Sequence, residues 1–316
     1  MKKSAKFISL FLMTAFVICS DSFSLSFGDI LQKAVQQDNL QKTLSNVEKV
    51  KDTVTTINRA AEPITPIDAY EIGRTVSASV LEIYPLYNSP KATAYLNKIC
   101  KALALNSDVP SIYKDYCVGI LNSEEINALS TSGGHIFISL GLLKCCNSED
   151  AVAAVIAHEL AHIQLEHSVN AIKASRKTEA LTQTTKTAAD LTNDYADIAK
   201  EDKEIFTNLT YLNEAALDKL LETGYPKEQE YKADELALTI MARTGYDPNA
   251  MIDMLNVLNE LHSKESGDDK GWKKTHPKPA DRIKKVKASV SKNKLSGTDK
   301  SAREARFKTN LSGIVK

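Results

Sequence analysis

Residues 151–163, AVAAVIAHELAHI, carry one charged group, Glu159, and neither glycine nor proline. A helix that is apolar around its whole circumference must be buried. Two imidazoles and a carboxylate are costly in such a place without partners, so the fold has to bring polar groups to His158, Glu159 and His162. On a helix, residues four apart stack on one face and the neighbouring residue stands about 100° around. His158 and His162 can therefore reach one metal ion, while Glu159 can touch a water beside it. Imidazole and carboxylate groups in a four-coordinate site suit zinc.

Such a site calls for a third protein ligand. His167 lies five residues beyond His162, about 140° around an unbroken helix, which turns it away from the metal face and gives it a structural role. The better candidate is downstream, in Glu230-Tyr231-Lys232-Ala233-Asp234. Glu230 and Asp234 share a helix face, so Glu230 can complete a two-His, one-Glu set. One turn later, Asp234 can accept the free ring N–H of a ligand histidine and hold its orientation.

The rest of the chain supplies a mostly helical setting. Apolar residues recur at three- and four-residue spacing from Ile30 to Ile57, ahead of Pro63 and Pro66, and further helices are expected over Ile67–Tyr84 and Ala92–Leu105. The Val-, Ile- and Phe-rich stretches Cys117–Leu121, Asn127–Ser130 and His135–Ser139, punctuated by Asn122-Ser123 and Gly133-Gly134, predict a small sheet. Helix is expected from Glu149 to about Ala174 behind Asn147 and Ser148 as caps, and again over Lys227–Thr244 and Pro248–His262 on either side of a Gly245-Tyr246-Asp247 stop. The Thr-, Lys- and Asp-rich stretch Ser175–Lys203 reads as an exposed helix or loop, placed between the ligand-bearing helices where a lid could lie. The fold class expected is α+β, mainly helical, with a small sheet beside the H-E-x-x-H helix.

At the N-terminus, Lys2, Lys3 and Lys6 precede an uncharged run from Phe7 to Cys19, the order of a secretory signal peptide and too short for a membrane span. Export to the periplasm is the expectation, with lipid anchoring through Cys19 as a variant. An oxidising compartment would let Cys100, Cys117, Cys145 and Cys146 pair in any of three ways. Forty Lys and Arg balance forty Asp and Glu, so there is no basic excess to mark a nucleic-acid binder. Residues 263–316 are nevertheless locally basic, with 16 Lys and Arg against 6 Asp and Glu. That end is expected as a solvated tail, or as a contact for anionic lipid at a membrane surface.

HELAH, the later EYKAD and THPKPADRI near the end, taken as an ordered set, resemble the prenyl-protease-like zinc metallopeptidases, the HtpX- and BepA-like family. The likeness runs from about Asp68 to Ile283, through DAYEIGR, NALSTSGGHIFISLGLL and GYDPNAM. It implies His158, His162 and Glu230 as ligands of one zinc ion, Glu159 as the catalytic glutamate and Asp234 as their support. It further implies that His276 approaches the metal, either closing its open position or helping to bind the reacting carbonyl, and that Arg282 supports the Glu-bearing helix. Gly133, Gly134, His135, Ile136 and Phe137 are implied as the edge on which a substrate backbone is laid as an added strand.

The chain departs from that family at Ser132, where Pro is common, and at Glu166, where a basic residue is frequent. Neither HtpX-type membrane helices nor a BepA-type repeat domain is expected. The organisation implied is a signal peptide over 1–26, a helical segment over 27–66, a zinc metallopeptidase domain over 67–290 and a basic tail over 291–316. The function implied is a zinc-dependent endopeptidase of the bacterial cell envelope acting on unfolded or misassembled proteins. The alternative is a chaperone-like or interaction protein whose zinc site is latent, closed by His276.

Overall fold

Three short strands, β1 (Cys117–Leu121), β2 (Ala128–Ser130) and β3 (His135–Ser139), form one mixed sheet in the order β1-β3-β2. In this computed structural model, residues 40–193, 224–264, 276 and 279–315 are described. β3 pairs in parallel with β1, from Cys117 opposite His135 to Leu121 opposite Ser139, and antiparallel with β2, with Leu129 opposite Phe137. The period of two along each strand sorts side chains between two apolar clusters. Val118, Ile120, Ala128, Ile136 and Ile138 join the main core, whereas Leu121, Leu129 and Phe137 join a smaller cluster with Ile72, Val76, Val80 and Ile172.

The helices are α1 (Leu40–Ala61), α2 (Pro66–Ile83), α3 (Pro90–Leu105), α4 (Leu140–Cys145), α5 (Glu149–Gln164), α6 (His167–Asn193), α7 (Lys227–Thr244), α8 (Asn249–Lys264), α9 (Pro279–Asn293) and α10 (Ser301–Asn310). The fold is α+β, as expected. The described chain divides into two compact units. Residues 40–61 and 179–193 make one, in which the Thr53 and Thr187 hydroxyls share a hydrogen bond of 2.8 Å; the remaining residues make the other.

In the larger unit α5 is the central element, packed by α3, α7, α8, α10 and β2. Its residues from Glu149 to Ile163 are all buried, which accounts for a sequence apolar on every side. Ser148 caps it by accepting from the Ala151 N–H at 3.1 Å. The first-turn acids Glu149 and Asp150 face the positive end of the helix dipole and are nonetheless buried. Glu149 accepts from the hydroxyls of Tyr95 (2.8 Å) and Tyr246 (3.1 Å) and from Arg306 (2.7 Å). Asp150 accepts from the Asp247 N–H (2.8 Å) and from Arg303 (3.2 Å).

Four expectations need correction. The single helix from Glu149 to about Ala174 is two, because the chain turns at Leu165 and at Glu166, which adopts a left-handed φ of 53°. Neither residue is a Gly or Pro, so the break carries no local signal. The basic end 263–316 is no solvated tail in its described part: it contains α9 and α10, and Val286, Phe307, Leu311 and Ile314 are buried in the main core. β3 is central, not an edge, so Ile136 and Phe137 are paired on both sides. Gly133 and Gly134 belong to the turn between β2 and β3, where Gly134 has φ 88° and a Cβ on Gly133 would lie 2.9 Å from the Tyr70 carbonyl of α2. The glycine pair is thus required by the turn and by the close approach of α2.

The proposed signal segment, Cys19 and residues 194–203 of the Ser175–Lys203 stretch lie outside the described residues; the part of that stretch up to Asn193 is helical. The four later cysteines carry free thiols. Among the described residues no helix is long and apolar enough to cross a membrane.

Candidate metal centre

The H-E-x-x-H residues lie in the C-terminal half of α5, where the helix is buried on all sides. His158, Glu159 and His162 are buried, and the Nε2 atoms of the two histidines are 3.1 Å apart. Two nitrogens that each bind one tetrahedral zinc ion at about 2.05 Å stand about 3.3 Å apart, so the pair fits a single ion. α7 packs along α5, and both present alanines to the shared core, Ala157 and Ala161 on one and Ala233 and Ala237 on the other. Small side chains let the helices approach closely, which carries Glu230 to the histidines. Its Oε2 is 3.4 Å from His158 Nε2 and its Oε1 3.4 Å from His162 Nε2.

His276, on the segment leading into α9, completes the cluster, with Nε2 3.9 Å from Glu230 Oε1. One ligand atom each from His158, His162, Glu230 and His276 falls within 4.8 Å of the others. Both Glu230 oxygens are fully buried and lack a hydrogen bond among the described residues. Orphaned buried carboxylate oxygens are rare and need an explanation. A divalent cation between two imidazoles and this carboxylate supplies one, and the donor set is the nitrogen and oxygen set that zinc takes.

Electrostatics point the same way. Burial disfavours charge on His158, yet the Asp234 and Glu230 carboxylates outweigh it and raise its pKa to about 9. Burial would raise Glu230, but the facing His276 and His162 hold its carboxyl well below the usual range. A pocket this attractive to a proton attracts a metal cation in its place. Burial pulls the His276 pKa down, against the opposing pull of the Glu230 carboxylate.

Asp234, one turn after Glu230, places Oδ1 3.1 Å from His158 Nδ1. Arg282 of α9 grips Asp234 with two bonds, Nη2 to Oδ1 at 2.6 Å and Nε to Oδ2 at 2.8 Å, and its Nη1 is 3.3 Å from Glu230 Oε2. Glu159 accepts from the Ser130 hydroxyl at 2.8 Å through Oε2, while its buried Oε1 has no hydrogen bond among the described residues. Ser130 points there because it shares the α5-facing side of β2 with Ala128. Beside His158 and Glu159 a pocket is walled by Leu142, Val155, Met251, Met254, Leu255 and Leu258.

The structure therefore brings together His158, Glu159, His162, Glu230, Asp234, His276 and Arg282. It does not bring the Gly133–Phe137 run to the cluster as an edge; His135 instead lies against Tyr70, with Nδ1 3.2 Å from the Thr131 hydroxyl. The free edge of the sheet next to α5 is β2, which pairs with no further strand among the described residues. Sequence reasoning missed three neighbours of the centre. Ser130 was legible only as one position in an alternating strand. Tyr225, whose ring stacks on His162 with centroids 4.5 Å apart, had no signal at all. His167 was set aside by a helical-wheel argument that the break at Glu166 invalidates, and its Nδ1 lies 2.9 Å from His162 Nδ1.

The sequence profile of peptidase family M48 matches residues 90–290, which contain this whole constellation. Similar proteins include the beta-barrel assembly-enhancing protease of Escherichia coli, 25% identical over 200 residues that make up 63% of this chain and 39% of that one. The mitochondrial metalloendopeptidase OMA1 of Schizosaccharomyces pombe is 24% identical over 61% of this chain and 52% of its own. Metalloprotease YcaL of Escherichia coli is 24% identical over 65% of this chain and 73% of its own. The chain spans about two fifths of the length of the first of these relatives.

Proposed function

The chain belongs to peptidase family M48, and on that premise we propose that it is a zinc-dependent endopeptidase acting on protein substrates in the bacterial cell envelope. The observation that carries the proposal is the buried set His158, His162 and Glu230, with both Glu230 oxygens lacking a hydrogen bond among the described residues, Oε2 having only an ion-pair contact with Arg282 at 3.3 Å, and with Glu159 beside it. Those three residues would hold zinc, which when bound polarises a carbonyl and makes water a competent nucleophile near neutral pH.

The chain's own groups would do the remaining work. Glu159 has one oxygen anchored by Ser130, which leaves Oε1 to take the proton of the attacking water and return it to the leaving amine. Asp234 accepts the Nδ1–H of His158 and so keeps Nε2 bare toward Glu230. Arg282 fixes Asp234 and balances the buried negative charge of Glu230. A substrate backbone would add to β2, the unpaired edge beside α5, in place of the Gly133–Phe137 run. An apolar substrate side chain would enter the pocket walled by Met251, Met254 and Leu255.

An envelope role is supported by the signal-like run Phe7–Cys19 and by the beta-barrel assembly named for one relative. Unfolded or misassembled proteins are the substrates proposed. Residues 67–290 are proposed as the catalytic domain, behind a signal segment and a helical stretch.

A second reading, a latent zinc protein without peptidase activity, is favoured by one observation: His276 lies within the ligand cluster and can act as a fourth ligand. Closed four-ligand sites are structural, open three-ligand sites catalytic. The two are separated by a mass-spectrometric time course of an unfolded protein with the zinc-loaded chain, its Glu159→Gln form and its His276→Ala form. Fragments from the wild type and none from Glu159→Gln, with zinc content unchanged, are expected. No fragments from the wild type or from His276→Ala, with zinc bound in both, would overturn the peptidase proposal; fragments from His276→Ala alone would make the wild type a closed resting form.

A further inference from the structure

Each of the two helix histidines turns one ring nitrogen toward the cluster and the other toward a buried partner. For His158 that partner is Asp234, at 3.1 Å from Nδ1. For His162 it is a third imidazole, His167, whose Nδ1 lies 2.9 Å from His162 Nδ1 with ring centroids 4.8 Å apart at 74°. His167 is buried, and it reaches this position only because α5 stops early. The Leu165 N–H returns to Ala161 O at 2.9 Å and the Glu166 N–H to Ile163 O at 3.0 Å, Glu166 takes φ 53°, and His167 opens α6. On an unbroken helix the same residue would point about 140° away.

Resting on the zinc reading above, we propose that His167 is a positioning residue: its Nδ1 accepts the Nδ1–H of His162 and thereby presents His162 Nε2, without a proton, to Glu230 and His158. At 2.9 Å the two Nδ1 atoms are within hydrogen-bond distance, and with the cluster on the opposite side of the His162 ring the contact is a hydrogen bond in which one ring donates and the other accepts. A metal-facing Nε2 has to be bare, which assigns that proton to His162. The stacked Tyr225 ring fixes the plane of the same imidazole from its face. His167 thus does for His162 what Asp234 does for His158, with a neutral acceptor in place of a carboxylate. That leaves the net charge of the pocket unchanged.

Two replacements separate the hydrogen bond from packing. His167→Phe keeps a ring of similar size without an acceptor, and His167→Asn places Oδ1 about where Nδ1 was. Full-length proteins are compared by zinc competition against a chromogenic chelator and, in the metal-free state, by long-range nitrogen–proton NMR of labelled histidines, which reports the tautomer of His162. The expected result is a zinc affinity about 10- to 100-fold weaker for His167→Phe, with most of it recovered in His167→Asn. His162 should be in the Nδ1–H form in the wild type and His167→Asn and mixed in His167→Phe. Equal zinc affinity in His167→Phe and wild type, equal loss in both variants, or an Nε2–H form of His162 in the wild type would overturn the proposal. A wild type that takes up no zinc would overturn the metal reading instead, and the tautomer of His162 would then decide the role of His167 alone.

Discussion

Arg282 is among the largest fully buried side chains of the described residues, and its guanidinium lies against the carboxylates of Asp234 and Glu230. Burial would raise Asp234, yet the guanidinium and the His158 ring more than offset this and lower its pKa. Breaking a buried charge pair by deleting one partner costs far more than the pair contributes, because the remaining charge stays out of water. Arg282→Met should therefore lower stability by about 3–5 kcal/mol in urea unfolding of the metal-free protein. Arg282→Lys should not rescue it, since an ammonium cannot make the two parallel bonds to Asp234. A Lys variant as stable as the wild type would show that charge alone suffices. At this scale the centre was largely legible. His158, Glu159 and His162 are local in sequence, and Glu230 and Asp234 repeat the same four-residue logic. His276 and Arg282 have no such internal spacing and could be singled out only through the family resemblance.

Elements decide where those residues point. The separation of α5 from α6 is two residues wide, Leu165 and Glu166, and it turns His167 from an outward-facing position into a neighbour of His162. The left-handed conformation at Glu166 disfavours side chains with a Cβ and is worst for a branched one. Glu166→Val should destabilise the protein by about 1–2 kcal/mol and weaken zinc binding, whereas Glu166→Gly should hold both within about 0.5 kcal/mol. Equal behaviour of the two in urea unfolding would mean that the turn is not conformationally demanding. The exposed ion pair from Glu166 to Lys173, at 3.7 Å, contributes too little to alter that comparison. Strand order is also an element-scale property. Its Ile- and Phe-rich composition marked β3 as a strand, but nothing in HIFIS says that strands lie on both its flanks or that its side chains divide between two apolar clusters. The edge therefore passes to β2, whose three residues carry Ser130 to Glu159.

At the scale of the whole molecule the end of the described chain closes on the start of the H-E-x-x-H helix. Arg303 and Arg306 of α10 meet Asp150 and Glu149, the first-turn acids of α5, while Phe307, Leu311 and Ile314 enter the main core. The local basic excess of residues 263–316 is thus spent in part inside the protein. Phe307→Ala should cost about 3–5 kcal/mol, the range for emptying a buried aromatic site, measured by urea unfolding. A change under about 0.5 kcal/mol would return this end to the status of a tail. By itself the sequence determined the α+β class, most helix limits, the three strands, the buried character of α5 and the identity of the candidate ligands. These follow from periodicity, capping residues and i, i+4 stacking, which are physical effects acting over a few residues. The tertiary structure alone decided the break before His167, the central place of β3, the anchoring of Glu159 by Ser130 and the docking of α10. Each of these depends on which surfaces meet across more than ten residues of chain, or on a left-handed turn made by a residue that does not favour one, and neither leaves a local mark.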